Sequence, residues 1–144
     1  MQVTPRNVLA LDVGMVRVGV AIASLIALLP RPLVTLQQDE TFFEKLKVIV
    51  SEEEVGAIVV GYPRGMQGQQ TQQTDAIVAF TEELKEHIIQ PIYLQDEALT
   101  SKHAETELIA RGKQYQKGDI DALAATYILD DFLREHPSGF EVTA

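Results

Sequence analysis

The chain has 144 residues, of which 46% are hydrophobic, and this size and composition predict one domain with a substantial core. It contains no cysteine, which excludes disulfide frameworks, zinc-thiolate sites and thiol nucleophiles. A formal net charge of −9 makes the chain as a whole a poor non-specific binder of polyanions. The apolar stretch from Val18 to Leu29 is shorter than the roughly 20 residues that span a bilayer. Since we also find no cleavable signal, we expect a cytoplasmic protein without a membrane segment.

The first predicted strand is the apolar run from Val8 to Leu11, which Asp12 closes. Gly14 follows at a spacing suited to a tight turn, and a second strand is predicted from Val16 to Ser24. The two strands are expected to form a hairpin with a carboxylate at its turn end. Because Asp-x-Gly is also ordinary turn chemistry, Asp12 taken alone is equally compatible with a structural role.

Three further elements precede the middle of the chain. A short strand is expected within 30–38, an acidic amphipathic helix over 40–54, and a fully apolar, hence buried, strand at Ala57–Val60. A second helix is predicted over 74–88, because four apolar residues recur on one of its faces: Ile77, Phe80, Leu84 and Ile88.

The loop that joins this buried strand to the second helix is rich in glycine. Gly61, Gly65 and Gly68 occur within eight residues, together with Pro63. At the carboxyl edge of a sheet, such a loop exposes backbone amides that can bind phosphate. It lacks the Lys-Ser/Thr ending of a Walker A loop. A flexible connection is the alternative, and the uncharged, glutamine-rich tract 69–73 favours that alternative.

A second pair of acids, Asp96 and Glu97, follows the short apolar strand Pro91–Leu94. This position is the carboxyl end of a strand, where open α/β sheets bind their ligands. Thr100 or Ser101 is expected to cap a further helix that ends near residue 111. The alternative is that both carboxylates are solvated loop acids favoured by the dipole of that helix.

The third acidic position is Asp121, on a helix predicted to open near Gly118. It shares a stripe with four residues that would face a core: Ala124, Ala125, Ile128 and Phe132. A carboxylate in such a place is costly to bury unless it is paired, hydrogen-bonded or bound to metal.

These three acidic positions would form a divalent-metal site if the fold brought them together. Two such ions about 4 Å apart can activate a water and stabilise the leaving oxygen in phosphodiester hydrolysis. They need oxygen ligands rather than His or Cys, and carboxylates are what this chain offers.

The order of the predicted elements favours the α/β class. A hairpin meander followed by alternating strands and helices predicts a mixed sheet with helices on both faces. We expect residues 1–136 to form a single domain and residues 137–144 to be a flexible C-terminal tail.

Four motifs in this order resemble the YqgF/RuvX family of RNase H-like nucleases, also described as Holliday junction resolvases and pre-ribosomal-RNA nucleases. The first motif is Asp-x-Gly-x-x-Arg-x-Gly-x-Ala over 12–21, and the second is Gly-x-Pro at 61–63 with Gly68. The third is Asp-Glu-x-x-Thr/Ser, which starts at Asp96, and the fourth is Asp-x-x-Ala-Ala over 121–125. Each motif is weak alone, but four in this order over nearly the whole chain are specific.

The resemblance implies a five-stranded RNase H-like sheet, Mg²⁺ with Mn²⁺ as a substitute, and structured nucleic acid as the substrate, either precursor rRNA or branched DNA. It assigns the metal and the catalysis to Asp12, Glu97 and Asp121, with Asp96 as an auxiliary. The nucleic-acid contacts that we expect are Arg17, Gly61, Arg64, Gly65, Gly68, Thr100, Lys102 and Lys117. Ala98 departs from the family, which usually has arginine there, and Met15 and Val16 replace residues that are often basic or carry a hydroxyl.

The resemblance leaves other functions open. A non-catalytic nucleic-acid-binding or ribosome-assembly module of the same fold is one alternative, favoured by Ala98 and by the net negative charge. A nucleotide-binding domain of the actin-like ATPase kind is another, but those proteins close two such domains around the nucleotide. Seven basic residues in or beside the predicted site segments would form a local basic rim: Arg17, Arg31, Arg64, Lys102, Arg111, Lys113 and Lys117. The choice between RNA and DNA, and between monomer and homodimer, is open.

Overall fold

The residues that the structure describes, 4–63, 72–97, 110 and 117–143 of a computed structural model, form a five-stranded sheet with helices on both faces. The strands are β1 (Asn7–Val13), β2 (Arg17–Ser24), β3 (Arg31–Gln37), β4 (Val55–Pro63) and β5 (Ile92–Glu97). The helices are α1 (Phe42–Glu52), α2 (Gln72–His87) and α3 (Lys117–Glu135). The predicted five-stranded mixed sheet with helices on both faces is confirmed.

The sheet has the strand order β3-β2-β1-β4-β5. The first three strands in sequence form an antiparallel meander, whereas β4 pairs with β1, and β5 with β4, in the parallel sense. The carboxyl ends of β1, β4 and β5 therefore meet at one edge of the sheet, which we call the carboxyl edge. Both Asp12 and Glu97 lie there, and so does Arg17 at the start of the antiparallel β2.

The two faces of the sheet are covered by different helices. One face packs large aliphatic side chains such as Leu9 and Ile58 against α1 and α2. The other face packs alanines, among them Ala10 and Ala57, against α3. We call the second one the α3 face. Because side chains alternate along a strand, the residues two positions apart from these alanines also belong to the α3 face.

Helix α1 is bounded by two local signals. At its start, the Asp39 carboxylate accepts hydrogen bonds from the Thr41 backbone N–H at 2.9 Å and from Thr41 Oγ1 at 2.7 Å, and these bonds lower the pKa of Asp39. After its end, Glu54 adopts a left-handed conformation with φ 51°, a common way to stop a helix. The backbone then enters β4 at once.

The C-terminal segment contacts the sheet. Residues 137–143, predicted to be a flexible tail, return to the sheet, where the Thr143 N–H donates to the Gly56 carbonyl at 2.8 Å and Tyr93 Oη donates to the Glu141 carbonyl at 2.9 Å. Phe140 packs edge-on against Phe132 with ring centroids 4.9 Å apart. Apolar packing and backbone hydrogen bonds therefore place this segment against the sheet.

Several predicted residues fall outside the described part of the chain. They are Arg64, Gly65, Gly68, Thr100 and Lys102, together with nearly all of the helix expected from 100 to 111. Lys117 begins α3, but only its backbone position is described. Within the described residues, no helix combines the length and the apolar character that crossing a membrane requires.

Candidate active site

Asp12 is the penultimate residue of β1, next to the turn that leads to β2, and its side chain faces α3. Its strand places Val8 and Ala10 in the cluster beneath α3, so the alternation of side chains puts Asp12 on the same face. Its cross-strand partner on β2 is Gly19. Asp12 therefore stands at the carboxyl edge beside a position that has no side chain.

Gly19 determines how closely α3 approaches the sheet. A Cβ atom at this position would overlap the backbone carbonyl oxygen of Asp121 and crowd the amide nitrogen of Ala122. Only glycine leaves room for the backbone of the first turns of α3 to rest directly on β2. Since Gly19 is paired with Asp12, this contact brings Asp121 next to Asp12, although 109 positions separate the two in the sequence.

Arg17 forms an ion pair with Asp121 at this contact. Its Nε donates to Asp121 Oδ2 at 2.8 Å, and the two side chains are 30% and 22% exposed. Arg17 lies two residues before Gly19 on β2, so both face α3. The arginine that the resemblance assigns to nucleic-acid phosphate is thus engaged with one of the predicted metal ligands.

The electrostatic environment of Asp12 opposes its negative charge. Burial, and secondly the nearby charge of Asp121, raise the pKa of Asp12 from its ordinary 3.8 to about 6. Arg17 partly offsets the Asp121 charge but bonds to that carboxylate rather than to Asp12. The pair of aspartates is therefore a place where an added cation or proton relieves an unfavourable charge.

Glu97 lies on the α3 face as well, whereas Asp96 does not. On β5, Tyr93 and Gln95 both contact α3, so the alternation of side chains assigns Glu97 to the same face and Asp96 to the opposite one. The Asp96 side chain is exposed, and Oε1 of Glu97 is buried. Of the two neighbouring acids, Glu97 is thus the one that shares a face with Asp12.

Glu97 is separated from the two aspartates by one intervening strand. β4 lies between β1 and β5, and adjacent strands are about 4.8 Å apart, so Glu97 and Asp12 stand on strands roughly 10 Å apart. Within the described ranges, no group of three or more His, Cys, Asp or Glu side chains is arranged to hold a metal ion. The structure brings Asp12 and Asp121 together and places Glu97 on the same face beside them.

Two other predicted residues are used differently from the expectation. A Cβ atom on Gly61 would overlap Ile128 Cδ1, so this glycine makes room for α3 as well as opening the loop. Arg31 pairs with Ile22 at the far end of β2 from Arg17, so it lies away from the carboxyl edge and cannot belong to a basic rim there.

Sequence reasoning did not identify Gln95 as part of this region. It is 3% exposed, and its Nε2 donates to Glu135 Oε2 at 3.0 Å. This bond ties the end of β5, two residues before Glu97, to the last turn of α3. The signal that could have pointed to Gln95 is a polar amide at the end of a buried strand. The signal that could have pointed to the role of Gly19 is a glycine inside a strand, which often marks a close approach of another backbone.

Comparisons with known proteins agree on one family. A family model described as "RuvX: Holliday junction resolvase" matches residues 6–135. A protein of Thermoanaerobacter pseudethanolicus named "Putative pre-16S rRNA nuclease" is 38% identical over 132 residues, which cover 88% of this chain and 95% of the relative. A protein of the same name from Sulfurihydrogenibium sp. is 35% identical over 129 residues, covering 88% and 89%.

Solved structures with similar backbones include two resolvases. Thermus thermophilus RuvC in complex with Holliday junction substrate matches with a TM-score of 0.55 and 15% identity, over 95% of this chain and 99% of that one. The Fowlpox virus resolvase in complex with Holliday junction DNA matches with a TM-score of 0.50 and 8% identity, over 88% and 98%. At such identities the likeness establishes the fold alone.

Proposed function

The chain belongs to the RuvX family, and we propose that it is a nuclease that hydrolyses phosphodiester bonds of structured nucleic acid at the carboxyl edge of its sheet. The observation that carries this proposal is the convergence of Asp12 and Asp121 over Gly19, since it joins the first and the last motif of the family in one site. A chain with the same fold but no catalytic role would have no need of two repelling carboxylates held this close.

We propose Asp12, Asp121 and Glu97 as the catalytic acids and as ligands of Mg²⁺, for which Mn²⁺ can substitute. The donors fit such an ion in type, because all are carboxylate oxygens, which hard divalent cations prefer. They also fit in charge, because the burial and repulsion that raise the pKa of Asp12 are relieved by a cation. When bound, the ion supplies an activated water and stabilises the leaving oxygen. Asp96, on the opposite face, keeps only its proposed auxiliary role.

The side chains around these acids have positioning roles. Arg17 holds one oxygen of Asp121 through its Nε, which restricts the rotamers of that carboxylate. The guanidinium has further N–H donors, so Arg17 can also contact a phosphate of the substrate while it keeps this bond. Gln95 fixes the end of β5 against α3 and thereby orients the strand that carries Glu97.

For the substrate, we favour precursor 16S rRNA, cleaved during maturation of its 5′ end. The relatives that are 35–38% identical are named as nucleases of pre-16S rRNA, whereas the junction-bound neighbours share only the fold. Resolution of Holliday junctions is the second candidate, supported by the description of the family model. We place the protein in the cytoplasm, as a monomer or homodimer, with Arg64, Gly61, Gly65, Gly68, Thr100, Lys102 and Lys117 as further proposed contacts to nucleic acid.

The decisive experiment is a cleavage assay that compares a precursor 16S rRNA fragment with a four-way DNA junction, in Mg²⁺, Mn²⁺ or EDTA. We expect metal-dependent cleavage of the RNA and at least about a 100-fold loss in Asp12→Asn, the upper end of what the loss of even an outer-sphere partner costs a metal site. Asp131→Asn, which changes another aspartate of α3, is the matched control and should cleave normally.

Each alternative has its own result. Full cleavage in EDTA, or in Asp12→Asn, would contradict a metal-dependent mechanism at these carboxylates. Tight binding of the precursor with no cleavage in any metal would assign the protein to the non-catalytic, ribosome-assembly alternative. Preferential cleavage of the four-way junction would make branched DNA the substrate.

A further inference from the structure

A groove of about 450 Å³ opens beside the candidate active site, on the face opposite to α3. Its described lining comes from three residues that directly follow Asp12, from the segment after β3 and from α2: Val13, Gly14, Met15, Gln38, Ala76, Ile77 and Phe80. The volume lies within the range of small-molecule sites, roughly 300–1,000 Å³. The groove is therefore large enough for a flat organic group, and it begins one residue away from Asp12.

The chemistry of the groove differs from that of the neighbouring carboxylates. Its described lining contains no charged side chain and one polar side chain, that of Gln38, while Phe80 and Ile77 are its buried apolar members. At its rim, the Met15 side chain is 95% exposed, and the adjacent Val16 is 60% exposed. Phosphates are bound by cations and amides, so an apolar groove of this kind suits the face of a ring better than a phosphate.

The turn after Asp12 is held in place, so the groove and the acids have a fixed relation. The Gly14 N–H donates to the Arg17 carbonyl at 2.8 Å, and Gln38 Nε2 donates to the Gly14 carbonyl. Val13 directly follows Asp12 and packs on the opposite face of the sheet, so a nucleic-acid strand that crosses this edge can place a phosphate at Asp12 and a base of the same or the adjacent nucleotide in the groove.

We propose that this groove binds one unpaired base of the nucleic-acid strand that is cleaved at Asp12. The inference rests on the proposed nuclease function and narrows its substrate, because a base can enter the groove only if it is free of its own helix. Single-stranded segments, whose bases are splayed and stacked on apolar side chains, meet this condition, whereas a continuous duplex does not. The substrate is then a strand that is single-stranded at the point of cleavage.

The test fills the groove without touching the catalytic acids. Ala76 is exposed and lines the groove, so Ala76→Leu narrows it, while Ala79→Leu makes the same change at an exposed position of α2 outside the described lining. Binding is measured by fluorescence anisotropy with a labelled single-stranded RNA and with a copy lacking all bases. Ca²⁺ replaces Mg²⁺, because its looser coordination supports binding more readily than catalysis.

We expect the native protein and Ala79→Leu to bind the RNA equally, and Ala76→Leu to bind it about tenfold more weakly, in the range for loss of one stacked base. The native protein should bind the base-free strand about as weakly as Ala76→Leu binds the RNA. Ala76→Leu should bind the base-free strand no more weakly than the native protein does. Met15→Glu at the exposed rim is a second variant that does not depend on repacking α2, and it should also weaken RNA binding.

Equal affinity of the native protein for the normal and the base-free strand would overturn the proposal, as would unchanged binding in both Ala76→Leu and Met15→Glu. Self-association of the native protein in sedimentation that Ala76→Leu abolishes would assign the groove to a second copy of the chain instead. The two proposals fail separately. If binding depends on the bases but no cleavage occurs in Mg²⁺, the nuclease proposal fails and the base-binding groove stands. If cleavage depends on the metal but binding does not depend on the bases, the groove proposal fails and the nuclease proposal stands.

Discussion

The two faces of the sheet are built from side chains of different size, and only one of them forms the candidate site. Under α1 and α2, the strands present Leu, Ile and Val, and these side chains pack against side chains of the two helices that include phenylalanine and leucine. Under α3, the same strands present mainly alanine and glycine, with Val8 and Val59 as the larger exceptions. Large side chains keep a helix at a distance from the sheet, whereas small ones let its backbone touch the strands. The candidate site lies on the α3 face, where the backbone of the helix comes close to the strands.

This difference explains why Asp121, unlike the other acids of α3, lies beside Asp12. α3 crosses the sheet diagonally, with Asp121 over Gly19, Ile128 over Gly61 and Phe132 against Tyr93. The helix therefore reaches the sheet most closely at its beginning, where Asp121 meets Asp12. Small residues at the sheet surface are thus a positioning device, and the bulky opposite face supplies stability.

The largest combined effect on stability and cleavage is expected from closing this approach. Gly19→Val places two methyl groups against the Asp121 backbone, which cannot rotate away, so we expect a loss of about 3 kcal/mol of unfolding free energy, the upper end for overpacking. Urea unfolding measures the loss. Cleavage should also fall sharply, because α3 and its carboxylate are displaced.

Two controls sharpen that prediction. Gly61→Ala meets only the terminal methyl of Ile128, which can move, and should cost about 1 kcal/mol. Leu46→Ala, in the fully buried core of the opposite face, should cost about 2–5 kcal/mol and leave the cleavage rate of the folded protein unchanged. A Gly19→Val protein as stable and active as the native one would mean that the small residues do not position α3.

The second prediction concerns the negative charge of Asp12, which the close approach of α3 places in a buried position near Asp121. Because the folded protein raises the pKa of Asp12 to about 6, the folded state binds a proton more tightly than the unfolded one between about pH 4 and pH 6. Stability from this group is present at low pH and is lost as the pH rises through 6. A rise from 3.8 to about 6 corresponds to roughly 3 kcal/mol.

Asp12→Asn removes this titration, so the metal-free variant should unfold with a higher free energy than the native protein above pH 6. The advantage should shrink as the pH falls towards 4. Urea unfolding of both proteins in EDTA at a series of pH values measures the difference. A constant difference across this range would show that Asp12 is not forced to carry an unfavourable charge in the folded protein.

The smallest effect is expected at the ion pair. Arg17→Gln removes a partly buried partner of Asp121 and should lower the unfolding free energy by about 1 kcal/mol. Arg134→Gln, which breaks the more exposed pair with Asp130 on the same helix, is the matched control and should cost at most about 0.5 kcal/mol. Equal losses would mean that Arg17 does not hold Asp121. Isothermal titration with Mn²⁺ gives a second readout, because freeing Asp121 from its arginine should change the metal affinity of Arg17→Gln and not that of Arg134→Gln.

The order and type of the elements could be predicted because they depend on local patterns. An unbroken apolar run marks β4 as a buried strand, and a recurrence every three to four residues marks the buried side of α2 and α3. The four motifs also identified the family, and they are the basis on which the acids are proposed. What they could not show is that Arg17 bonds to Asp121, since that contact joins residues 104 positions apart.

The sequence by itself determined the class of the fold, the buried residues of its helices and the acidic character of the site, because periodicity and residue type are local properties. Only the tertiary structure decided which acids meet. The pairing of Asp12 with Gly19 and the diagonal path of α3 bring Asp121 to Asp12, place Glu97 on the same face and turn Asp96 to the other. These outcomes depend on strand register and on the contact of a helix with a glycine, and both are set by packing between distant segments.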